Sequence, residues 1–205
     1  MTQSAVEAER AVWDDARRTR LGAGRGNVMN ILVLIVGLLC YLITGLVIRG
    51  HFASATMPRE IRFALFASYF GIAAFIYLML RDRHAISALM TSLVIFAASL
   101  TLFLWAVQTT RSERLKLAFD PEAPGSVVQA GPYRYIRHPF YASYILFWLG
   151  CTIATMHPFM LVFLILFTAI NLTAARREER SFETSPFAEQ YVNYRKTAGL
   201  LWPKL

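Results

Sequence analysis

The chain has 205 residues, room for one ordinary domain or one small membrane bundle. It is 56% hydrophobic, 17% charged and 14% aromatic, a profile that excludes an ordinary water-soluble fold. Its formal charge of +8 reflects 21 Lys and Arg against 13 Asp and Glu. Because those charges flank long apolar runs, they read as anchors to anionic headgroups, and no nucleic-acid partner is needed to explain them.

Residues 1–27 form a polar tail carrying Arg17, Arg18, Arg20 and Arg25. The apolar run that follows is too long for a secretory signal and has no small-residue cleavage site, so it is read as a retained transmembrane helix. A helix needs about 20 apolar residues to cross a core of about 30 Å. Three charge-free runs meet that requirement within residues 28–110, bounded by Arg25 and Arg49, by Arg62 and Arg81, and by Arg83 and Arg111.

Residues 111–205 are organised differently. From Pro139 to Ala175 no Asp, Glu, Lys or Arg occurs, a stretch nearly twice one crossing, interrupted by His157-Pro158. A proline is well placed in the first turn of a helix, so the interruption predicts a tight hairpin of two short spans. Downstream, Ser185-Pro186 reads as a cap and first turn, and Phe187, Tyr191 and Tyr194 recur at helical spacing. These residues predict an amphipathic helix lying along the interface, either as an anchor or as a lid.

The expected fold is therefore an all-α integral membrane protein. It has about five transmembrane helices, a C-terminal helical hairpin and a C-terminal interfacial helix. An N-out, C-in topology puts 14 basic residues inside and 7 outside, which favours a multi-pass protein of the plasma or inner membrane with residues 111–137 and the C-terminal tail facing the cytosol. Cys40 and Cys151 lie in apolar runs outside any CxxC or Cys/His cluster, so neither a disulfide framework nor a metal site is expected.

Two polar stretches bracket the hairpin, Gly131 to Tyr141 before it and Arg176 to Arg180 after it. A hairpin returns the chain to its starting side, so these stretches should be neighbours. In the first, Pro139 sits just inside a helix start, with His138 and Tyr141 on one face. In the second, the plainest reading is an exposed charged helix in which Arg176 and Arg180 flank Glu179. Glu178 can instead hold a cationic amine or hydroxyl groups. His51, His84 and His157 lack comparable neighbours.

The run GPYRYIRHPFYAS, followed one hairpin later by EERSF and then by YVNYRK and WP, resembles the isoprenylcysteine carboxyl methyltransferase family and its phospholipid N-methyltransferase relatives. The resemblance covers roughly residues 125–205. It implies a membrane methyltransferase that uses S-adenosylmethionine from the cytosol and a lipophilic substrate from the surrounding membrane lipids. It also implies a cofactor pocket at Tyr133, His138, Pro139, Tyr141 and Glu178, with Val127 and Val128 where the family wraps backbone around the cofactor. No Rossmann sheet is expected.

Two positions depart from the family pattern. Ser143 stands where glycine is usual, and Ala174 stands where the isoprenylcysteine enzymes have the arginine near the substrate carboxylate. A carboxylate acceptor needs a guanidinium to orient it, for which Arg177 is the first candidate and Arg195 the second. An amine acceptor needs instead to lose a proton, and the sequence leaves the two open. The alternatives of another class are an NADPH-dependent membrane reductase, since the C-terminal part of sterol reductases is similar to the same motif pair, and a non-catalytic protein of this fold.

Overall fold

A computed structural model describes residues 27–48, 59–111 and 127–204. The polar tail up to Gly26 and most of the loop between the third helix and the Gly131 motif lie outside the described residues.

The described residues are helical apart from turns and one isolated bridge between Ile136 and Gly199. Helices α1 (Asn27–Ile48), α2 (Arg59–Arg81) and α3 (Ile86–Thr110) match the three charge-free runs. A 3-10 turn (Gly131–Arg134) leads to α4 (Pro139–Thr155), which is followed by α5 (Pro158–Glu183) and α6 (Ala188–Thr197). Helices α1, α3 and α5 and the Phe63–Arg81 part of α2 are long and apolar enough to span a bilayer, with α4 as a shorter apolar helix. The molecule is thus a multi-pass integral membrane protein.

The hairpin turns where the sequence predicts, but its arms are unequal. Helix α4 has 17 residues and α5 has 26. At 1.5 Å per residue these are about 25 and about 39 Å, against a hydrocarbon core of about 30 Å. The excess length of α5 carries Arg176 to Glu183 beyond its apolar part. At the turn, Met156 takes the left-handed conformation (φ 47°) and its N–H donates to Thr152 O at 2.8 Å. The His157 ring Nδ1 then accepts from the Phe159 N–H at 3.2 Å, so this histidine caps α5.

The core forms where small residues admit large rings. Buried positions of α3, Leu89, Ser92, Phe96, Ser99, Phe103, Ala106 and Thr110, recur at alternating spacings of three and four, the seam of a coiled-coil-like contact. This seam meets α4. A side chain at Gly150 would begin 2.6 Å from the Phe96 ring. Ser99 donates to the backbone O of Ser143 at 2.8 Å, so the serine found in place of the family glycine still permits close helix contact. Trp148 stacks on Phe167 of α5 at 4.5 Å, tying the hairpin together. Asn30 of α1 donates to the terminal carbonyls of α2, at 2.9 Å for Asp82 O.

The C-terminal helix differs from the expectation in two respects. It begins at Ala188, not at Pro186, because Ser185 caps a preceding turn by accepting from the Phe187 N–H at 3.1 Å. Tyr191 and Tyr194 also turn inward. The Tyr191 ring stacks on Phe182 at 4.5 Å with a 3° interplanar angle. Both tyrosines are buried against the end of α5 and the preceding motif, so the aromatic face of α6 docks on protein.

Candidate active site

The site is built at the open end of the hairpin. Gly131 has φ +55°, and a Cβ there would lie 2.2 Å from Thr109 Oγ1, so only glycine lets the motif turn this tightly against the end of α3. The chain then rises through the 3-10 turn and crosses the C-terminal strap, Ala198 to Pro203. Arg137 N–H donates to Gly199 O (2.8 Å), His138 N–H to Leu200 O (3.1 Å), and Gly199 N–H to Tyr135 O (3.0 Å). Pro139 then starts α4 with its missing donor where no partner is needed.

The His138 side chain does not cap its own helix. It turns toward α5, with Nδ1 3.4 Å from Glu178 Oε2 and Nε2 3.5 Å from Glu179 Oε1. The latter approach is too long and poorly aimed for a hydrogen bond, so the buried Nε2 has no hydrogen-bond partner. Tyr141 stacks on the imidazole at 5.4 Å and 22°, one turn into α4, as the shared face predicts. Burial works against the imidazolium, but the facing carboxylates of Glu178 and Glu179 outweigh it, and the His138 pKa lies above its ordinary value.

Glu179 is the anchored acid. Arg137 Nε donates to its Oε1 at 2.7 Å, and Tyr191 Oη donates to the same oxygen at 3.0 Å. Arg137 Nη1 also donates to Ala198 O. The side chains of Arg137 and Glu179 are 9% and 11% exposed, whereas that of Glu178 is 27% exposed and reaches the rim. The pairing of Glu179 with Arg176 and Arg180 suggested by the sequence is replaced by this buried pair, since both arginines face outward. Burial, followed by the charge of Glu179, raises the Tyr191 phenol, which stays a donor.

The two stretches flanking the hairpin therefore meet in space, as the topology predicts. Tyr133 is buried, and its backbone O accepts from Tyr194 Oη at 2.6 Å. Val128 packs with Phe103, Tyr133 and Phe140, and Val127 packs against the cluster of Phe182, Tyr191 and Tyr194. Arg177 lies on the exposed side of α5, one residue before Glu178. Arg195 lies at the periphery, bound to Glu183 at 2.8 Å.

Sequence reasoning gave no site role to Arg137 or Glu179, and gave Tyr191 and Tyr194 only that of an interfacial anchor or lid. A usable signal was present for Glu179. The buried stripe of α5 runs Phe167, Asn171, Ala175, and the next step of four residues is Glu179. Ala174 lies on the same buried side, 2% exposed.

A short α4 packed on a longer α5, with an imidazole, two carboxylates and a guanidinium at their shared end, defines a small membrane-embedded enzyme whose polar site opens beside the bilayer. The family model for phospholipid methyltransferases matches residues 83–190, just over half of the chain, and the chain belongs to that family. It is accordingly an S-adenosylmethionine-dependent methyltransferase acting on a lipid. A comparison with curated proteins found no match.

Proposed function

We propose that the protein N-methylates the amine of a membrane lipid, with the His138, Tyr141, Glu178 and Glu179 cluster as its cofactor site and Tyr133, Pro139, Val127 and Val128 as the surrounding wall. One observation carries the choice of acceptor. The guanidinium inside the cluster, Arg137, is already committed to Glu179 and to Ala198 O, and position 174 holds a buried alanine. A carboxylate acceptor at the Glu178 rim would therefore meet an acid with no guanidinium inside the cluster to orient it, whereas an ammonium headgroup is attracted to that rim.

The residues fit S-adenosylmethionine. The orphaned His138 Nε2 suits an anionic acceptor such as the methionyl carboxylate, and Glu178 suits its ammonium or the ribose hydroxyls. When bound, the cofactor supplies a methyl group on a sulfonium, which an acceptor lone pair displaces in line. The chain's contribution is alignment and exclusion of water, because positive charge disperses in such a displacement. The acceptor amine must shed a proton before attack, and Glu178 at the rim is the group within reach to take it. Arg177, outward from the same turn, suits the lipid phosphate, with Arg195 more distant. The positive-inside bias supports a cytosolic position for this end of the bundle.

Radiolabelled methyl transfer from S-adenosylmethionine into a lipid extract tests the reading. The expected product label is stable to base, as an N-methyl amine is, and a base-labile ester would overturn the choice of acceptor. In titration calorimetry on the detergent-solubilised protein, Glu178→Ala and His138→Ala should each abolish cofactor binding while the protein stays folded. Unchanged affinity in either variant removes that residue from the pocket.

A further inference from the structure

Beside the polar cluster, on the other side of the motif, lies an open groove of about 250 Å³ that the site chemistry does not use. Leu102 and Trp105 of α3, Ile136 of the motif, Ala142 and Leu146 of α4, and Trp202 of the strap line it. We propose that this groove receives one hydrocarbon chain of the acceptor lipid and thereby sets the position of the headgroup at Glu178.

Three observations commit the groove to that occupant. Its walls are almost wholly apolar, and one of them is α3, whose outer face meets the bilayer, where Leu104 and Trp105 are each 43% exposed. The groove also adjoins the backbone that carries the site. Ile136 immediately precedes Arg137, Ala142 immediately follows Tyr141, and Tyr141 stacks on His138. Finally, the strap that supplies Trp202 also accepts from the Arg137 side chain and from the backbone of His138, so groove wall and polar cluster share one support.

The volume sets the length of chain that fits. A cavity of about 150 Å³ holds a six-carbon ring, so about 250 Å³ holds roughly ten carbons. For a short ester drawn as a monomer from water, each methylene buried in the groove should improve KM roughly fourfold. The remainder of a longer chain lies in the bilayer and adds nothing.

The first arm of the test rests on the amine reading and uses aminoethyl phosphate esters of single alkyl chains from four to sixteen carbons. KM should fall steeply with length to roughly ten carbons and then level. Leu146→Trp should collapse the KM ratio between the four- and ten-carbon esters, and so should Trp202→Ala, made at a residue 60% exposed.

The second arm is independent of the headgroup methylated. A phosphocholine-headed single chain brominated along its length should quench the tryptophan fluorescence of the detergent-solubilised protein in a saturable way, and the Trp105→Phe/Trp202→Phe variant should lose that component. Saturable quenching without transfer to the aminoethyl esters keeps the groove and removes the amine reading. Transfer with no chain-length dependence, or quenching that only tracks the bulk fraction of brominated chain, overturns the groove.

Discussion

Glu178 and Glu179 are adjacent and chemically identical, yet successive helical residues point about 100° apart, and that rotation divides their work. Glu179 continues the buried stripe of α5 and is fixed by Arg137 and Tyr191, whereas Glu178 reaches the rim beside His138. Removing one partner of a buried ion pair leaves an uncompensated charge, at about 3–5 kcal/mol. Arg137→Met should therefore destabilise the protein by about that amount, and adding Glu179→Gln should recover much of the loss. Denaturant unfolding of both single variants and the double variant measures the coupling, and additive losses would show that the pair is not a unit.

His138 makes the site sensitive to pH. Its folded pKa is raised, so the stabilisation from its charged form is complete below about 6.5, the ordinary value, and is lost as pH rises through the folded pKa. With the imidazolium as donor to the cofactor carboxylate, affinity for S-adenosylmethionine should weaken over the same window. Calorimetric titrations at increasing pH should show that decline in the wild type and lose it in His138→Gln.

At the scale of elements, the hairpin depends on an abrupt stop and restart. Met156 is a non-glycine residue in the left-handed region, where a Cβ costs about 1–2 kcal/mol. It is 69% exposed, so its side chain contributes little packing in return. Met156→Gly should raise stability by up to about 1 kcal/mol, part of the relief being offset by the greater freedom of glycine in the unfolded chain. Thermal unfolding in detergent measures this, and a lowered midpoint would show that the turn is held by contacts of the methionine. The unequal arms matter for the site as well: the added length of α5 lifts the paired acids to the level of His138, which starts the shorter α4.

The molecule as a whole turns apolar residues outward, with Phe66 74% exposed and Leu46 70% exposed. In a bilayer those faces are solvated by lipid chains, so association of the helices relies on packing and hydrogen bonds more than on the hydrophobic effect. Close contacts at Gly71 beneath Trp148 and at Gly150 beneath Phe96 supply that packing. On the proposed reading, the polar cluster at one end of this bundle takes cofactor from water and its acceptor from lipid, the arrangement that lipid methylation requires.

Hydrocarbon tolerates few charges and demands a minimum helix length, and for that reason the spans, the reversal at His157-Pro158 and the meeting of the two polar stretches could all be read from residue order. Insertion energetics say little about how each helix is rotated about its own axis. That rotation is fixed by packing between helices, and it alone assigned Glu179 to Arg137, turned Tyr191 and Tyr194 inward, and opened an apolar groove between α3, α4 and the C-terminal strap.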